Sequence, residues 1–191
     1  MLAIFKREFK SYFQNVIGWL FVAALLAVYG LYFYVYNLKN GYPYISYDLK
    51  GIGFIMMIAV PILTMRSLSD EKKTKTDQLM LTSPVSVGRI VAGKYLAMAA
   101  VYTIDIALFA LSPLVLSIYG KVALSEAYVA LFGYWLYGLS CIAVGLFISS
   151  ISESVIISAI LTFAALFLSY MMQSITGLIS SSGNLLTKVL N

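Results

Sequence analysis

Few residues in this chain could do covalent chemistry. There is no histidine, which removes a His-ligated metal site and a Ser-His-Asp triad from consideration. Cys141, the one cysteine, lies inside an apolar run and supports no intrachain disulfide framework. Gly88 to Lys94 reads G-x-x-x-x-G-K, one residue short of a phosphate-binding loop. Tyr95 stands where such a loop carries its magnesium-binding Ser or Thr, no strand precedes it, and an apolar stretch follows. Intramembrane Ser-Lys or paired-Asp catalysis is the enzymatic option left, and no two carboxylates fall at one expected depth. The chain is therefore read as neither an enzyme nor a holder of a cofactor.

Charge is the remaining chemistry, and it is concentrated. Arg66 to Lys94, RSLSDEKKTKTDQLMLTSPVSVGRIVAGK, is the long polar passage of an otherwise apolar chain and holds nine charged residues. Asp70, Glu71, Lys72, Lys73, Lys75 and Asp77 form most of it, and Leu79-Met80-Leu81 and Thr82-Ser83-Pro84-Val85 follow. The order predicts a short helix on a membrane surface, a proline-marked stop and a second helix start. Asp70 and Glu71 near the front of the first helix suit the positive end of its dipole. A loop that merely fixes topology is the bland alternative.

The elements that carry this loop follow from composition. The chain is 61% hydrophobic and 11% charged, against about 25% charged in soluble domains. It is thus expected to be an all-α, polytopic membrane helix bundle. Residues 1–15 place Leu2, Phe5, Phe9, Tyr12 and Phe13 at helical spacing, with Lys6, Arg7, Glu8 and Lys10 between them. That pattern predicts an interfacial elbow helix. Five spans are expected, over about Val16–Tyr36, Gly51–Met65, Tyr95–Ile118, Ala127–Ser149 and Val155–Met172. Tyrosines 29, 32, 34, 36, 42, 44 and 47 crowd the far end of the first span and are read as an aromatic belt. Pro61 is expected to kink the second span and Pro113 to bend the third. Gly138, Cys141, Gly145 and Ser149 share one face of the fourth span, a pattern for close helix packing.

Asp105 falls near the middle of the third span. A carboxylate there is expensive in lipid, so it is expected to face the protein interior or water. An ion or proton site and a satisfied interhelical hydrogen bond are both open readings.

Orientation comes from Lys and Arg. Nine of them (Lys6, Arg7, Lys10, Arg66, Lys72, Lys73, Lys75, Arg89, Lys94) fall on one side and four (Lys39, Lys50, Lys121, Lys188) on the other. The richer side is expected to be cytoplasmic, with the N-terminus and residues 66–94 on it and the chain multi-pass in the cell (plasma) membrane. The basic excess is thereby explained without nucleic acid.

The charged passage resembles the first intracellular loop of permease subunits of type II ATP-binding-cassette (ABC) exporters. The residues that carry the likeness are Glu71, Thr76, Gln78, Leu79, Leu81, Thr82, Pro84, Val85, Ile90, Val91, Gly93 and Lys94. Lys75 departs from it, standing where that family usually has Gly, and Thr76-Asp77-Gln78-Leu79 is similar to a branch related to gliding-motility permeases. The resemblance implies one permease domain over residues 1–191, with 66–94 as a cytoplasmic coupling loop. It implies a separate ABC ATPase partner and a second permease chain, identical or different, in the lipid bilayer. The ATPase would be met by a coupling helix built on Asp70, Glu71, Lys72, Lys73, Thr76, Asp77, Gln78, Leu79 and Leu81. Residues 173–191 are read as an external re-entrant or surface segment, and the family's sixth span as missing. The alternatives are an ATP-independent carrier or channel using Asp105, and a structural membrane subunit.

Overall fold

The computed structural model describes residues 2–73, 86–119 and 122–190, with side chains over 2–72, 86–118 and 122–172. Every regular element among the described residues is helical. An N-terminal helix α1 (Leu2–Gln14) is followed by α2 (Val16–Phe33), which passes into a π-helical segment, Tyr34–Lys39. Then come α3 (Ser46–Thr64), the short α4 (Ser69–Lys73), α5 (Val87–Phe109), α6 (Ser112–Tyr119), α7 (Leu124–Ile151) and α8 (Val155–Leu190). Five stretches are long and apolar enough to cross a membrane: Val16–Lys39, Ser46–Lys72, Val87–Ile118, Leu124–Ile151 and Val155–Met172. The polytopic helix bundle expected from composition is the fold.

Helix α3 is the most buried of the five and packs against α2, α7 and α8. Its apolar side chains are not confined to one stripe, as suits a helix surrounded by others. Ile52, Met56, Met57, Val60 and Leu63 are fully buried. The small-residue face of α7 is what lets neighbours approach. A Cβ on Gly145 would lie 2.5 Å from Thr64 Oγ1 on α3, and one on Gly138 would overlap the Tyr102 ring on α5. Cys141 and Ser149 are buried on the same face. The face therefore serves two neighbours at once, α3 and α5.

Several boundaries differ from those expected. The second span starts at Ser46, five residues earlier than expected, and includes Asp48, which is fully buried. Asn37 accounts for this: it donates through Nδ2 to Asp48 Oδ2. The π-helical turn supplies that amide, since an extra residue per turn re-aims side chains and Asn37 is its buried member. The third span starts at Val87, eight residues early, and carries a buried Lys94. Its bend is where Pro113 suggested. Helix α5 stops at Phe109, and Pro113 lies in the first turn of α6, where its missing N–H costs nothing. Pro61 sits three residues before α3 ends.

The tyrosine belt is also divided. Tyr34, Tyr42, Tyr44 and Tyr47 are exposed, whereas Tyr29 is buried, stacks on Phe109 at 4.0 Å between centroids and pairs its hydroxyl with Ser112. Helix α8 continues as helix through the segment set apart after Met172.

Gly138→Ala should lower the thermal midpoint of the detergent-solubilised protein, by about 1–3 kcal/mol of stability, because the Tyr102 ring must be displaced. Gly30→Ala, where nothing lies within 4 Å of the added carbon, should not lower it. Circular dichroism melts of the two variants check this.

Candidate functional site: an ion cluster joining the N-terminal helix, the polar loop and the third span

Helix α1 is fixed by aromatic contact before any charge is considered. Phe5, Phe9, Phe13 and Trp19 run in sequence with centroids 5.8, 5.1 and 5.4 Å apart, the last contact crossing onto α2. Trp19 donates its indole N–H to Phe13 O at 2.9 Å. The tight elbow between the helices needs Gly18, since a Cβ there would lie 2.5 Å from Tyr12 O. This leaves Lys6, Arg7 and Lys10 exposed. Glu8, which the sequence pattern sets among them, instead turns inward to α5.

Its target is Lys94. The ammonium is 2% exposed and donates to Glu71 Oε1 at 2.6 Å and to Ser67 O at 2.7 Å, with Glu8 Oε1 at 3.6 Å. Arg7 closes the series by donating to Glu8 at 2.8 Å. Charges thus alternate, Arg7, Glu8, Lys94, Glu71, from the exposed rim to the buried cation. A buried ammonium is tolerable only when its donors are met, and here a carboxylate and a carbonyl meet two of them. Tyr12 donates to Leu63 O at 3.4 Å. Burial, joined by the charges of Glu8 and Glu71, pushes its phenol above the ordinary value, so it is a neutral donor. The cluster lines a polar cleft of about 610 Å³ between α1 and α4, with Arg66 and Asp70 on its rim.

A second tether reaches α4 from α7. Ser149 Oγ accepts the backbone N–H groups of Leu68 and Ser69, both at 3.2 Å, and lies 3.0 Å from Ser69 Oγ. These amides open α4 and have no partner within it, so a side chain from another span caps them. Helix α4 is thereby held to α5 by Lys94 and to α7 by Ser149.

The residues expected from sequence divide accordingly. Glu71 is in the cluster, Asp70 is on the cleft, and Lys72 and Lys73 belong to α4. Thr76, Asp77, Gln78, Leu79 and Leu81 lie outside the described residues. Residues 88–94 are helical, which removes the loop a phosphate-binding motif requires. Sequence reasoning sets Glu8 among the polar residues of α1 and Ser149 on the packing face of α7; the contacts they make, to Lys94 and to the first amides of α4, depend on partners from other segments and carry no local signal.

Asp105 belongs to a different region, about 16 Å along α5 from Lys94 at the helical rise. It is fully buried, and neither carboxylate oxygen has a hydrogen-bond partner among the described residues. It faces the interior as expected. Of its two open readings, an interhelical hydrogen bond is not found among the described residues; the Tyr102 hydroxyl, one turn away on the same helix, donates to Tyr134 O at 2.8 Å. Among the described residues no group of His, Cys, Asp and Glu could hold a metal ion.

The family model described as ABC-2 family transporter protein matches residues 31–190. The chain belongs to that family. It is an ABC-2 permease, a multi-pass membrane component of a transporter. Comparison with curated proteins and with solved structures gives no significant match.

The cluster makes a testable ordering. Glu71→Gln should destabilise the permease by more than Glu8→Gln, about 1–3 kcal/mol against under about 1 kcal/mol, because one contact is direct and the other long. Reversible unfolding in mixed detergent, run as double-mutant cycles with Lys94→Met, should show stronger coupling of Lys94 to Glu71 than to Glu8.

Proposed function

We propose that this ABC-2 permease is the pathway-forming subunit of an exporter whose ATP hydrolysis is done by a separate ABC ATPase docked on residues 66–94. In this reading the N-terminus and the charged loop are cytoplasmic, the membrane is the plasma membrane, and two permease chains, identical or different, make one transporter. The likeness of Thr76-Asp77-Gln78-Leu79 supports the gliding-motility-related branch.

The observation that supports coupling is the buried Lys94, held at once by Glu71 of α4, Ser67 of the preceding turn and Glu8 of α1. Moving α4 without moving α5 would part a cation from its acceptors inside the protein, which is costly. Ser149 extends the same constraint to α7. A push on the loop would therefore travel to the third and fourth spans as rigid bodies, and the mixed charges of Asp70, Glu71, Lys72, Lys73 and Asp77 in the sequence are the docking face in this reading. Glu71→Lys combined with Lys73→Glu should cut the ATPase recovered with tagged permease by about tenfold or more. Unchanged recovery from native membranes, with the variant folded, would remove the coupling role.

Asp105, buried and without a hydrogen-bond partner among the described residues, favours a second reading, an ion- or proton-coupled carrier. Asp105→Asn separates the two. Transport by an ATP-driven permease should persist in the variant, and loss of transport with unchanged ATPase recovery would favour the carrier.

A further inference from the structure

The half of the bundle away from α4 holds a groove of about 570 Å³ between α3, α7 and α8. Three features make it unlike the apolar surface around it. First, Lys50 on the second turn of α3 lines it, and no carboxylate among the described residues lies within salt-bridge distance of that ammonium. It lies instead over the Tyr47 ring, 5.9 Å from the centroid. The neighbouring carboxylate, Asp48, is turned inward to Asn37. Second, Tyr134, Tyr137 and Tyr170 line the groove from α7 and α8, and the Tyr134 hydroxyl is buried without a hydrogen-bond partner among the described residues. Third, Gly53 of α3 and Gly133 of α7 both line it, and a Cβ added to either would meet nothing within 4 Å. Neither position is filled by a neighbouring side chain, as Gly138 and Gly145 are, so the furrow between them is open.

We infer that the groove binds the phosphate-bearing headgroup of an anionic amphiphile, with Lys50 pairing the phosphate, the tyrosines bordering the glycerol or sugar region, and an acyl chain lying along the Gly53–Gly133 furrow. A cation inside a span is costly unless paired or carried to the interface, and a phosphate in the groove would supply the anion that Lys50 lacks among the described residues. Amphipathic aromatic rings suit a ligand that changes from polar to apolar along its length. A second copy of the chain fits less well: a two-fold contact would meet the groove with the same lining, which contains no carboxylate among the described residues to receive Lys50. The inference concerns binding and does not depend on coupling to an ATPase.

The test uses the full chain purified in mild detergent and native mass spectrometry with phosphatidylglycerol, phosphatidylcholine or inorganic phosphate added. Phosphatidylglycerol should be retained as one adduct per chain, about tenfold above phosphatidylcholine. Lys50→Gln and Gly133→Leu should each reduce that adduct by a similar factor. The second of these fills open space on an exposed helix face and should leave the thermal midpoint intact, so loss of the adduct there is not loss of fold. Equal retention of both lipids, or retention untouched by both substitutions, overturns the inference. Displacement by inorganic phosphate would make this a free-anion site and overturn its lipid part. A lipid-free dimer broken by Gly133→Leu would give the groove to a second copy instead.

Discussion

The arrangement on the charged side of this permease depends on one buried ammonium. Lys94 sits at the start of an apolar span, where a lysine would ordinarily reach for water. It is held instead by Glu71 and Ser67 at hydrogen-bond distance, with Glu8 behind them. Lys94 comes from a span, and its partners from an N-terminal helix, a turn and a short loop helix. Because a desolvated cation is costly without its acceptors, the four segments are constrained together. Specificity of arrangement is what such a cluster contributes; an apolar substitute of equal volume could match its stability.

Ser149 solves a related problem by other means. A helix as short as α4 cannot satisfy its own first amides, and the fourth span lends a hydroxyl to do so. That hydroxyl reaches the loop because Gly138 and Gly145, on the same face, let α7 lie close to α3 and α5. The small-residue face thus has a consequence beyond packing: it sets the distance at which one serine can cap a loop helix.

The two halves of the bundle treat buried charges differently. Near α4 the buried charges are matched and hydrogen-bonded. In the other half, Asp48 is met through one oxygen by Asn37, while Asp105 and the Tyr134 hydroxyl find no partner among the described residues. Buried polar groups are normally satisfied, so these exceptions mark where the ABC-2 permease departs from what stability alone would select.

The sequence by itself determined the class of fold, the five spans and the polar loop, because apolar runs of membrane length and a cluster of charges are local properties of the chain. The packing role of Gly138, Cys141 and Gly145 and the bend before Pro113 were legible for the same reason. Motif likeness brought Glu71 and Lys94 forward, but not their contact. Only the tertiary structure decided that Lys94 is buried, that Glu8 turns from water toward it, that Asn37 draws Asp48 into a span, and that Tyr29 leaves the belt for the core. Each depends on a partner from another helix or turn, and the energy of a polar group in a membrane protein is set by the partner it finds. No local pattern in the chain encodes that partner.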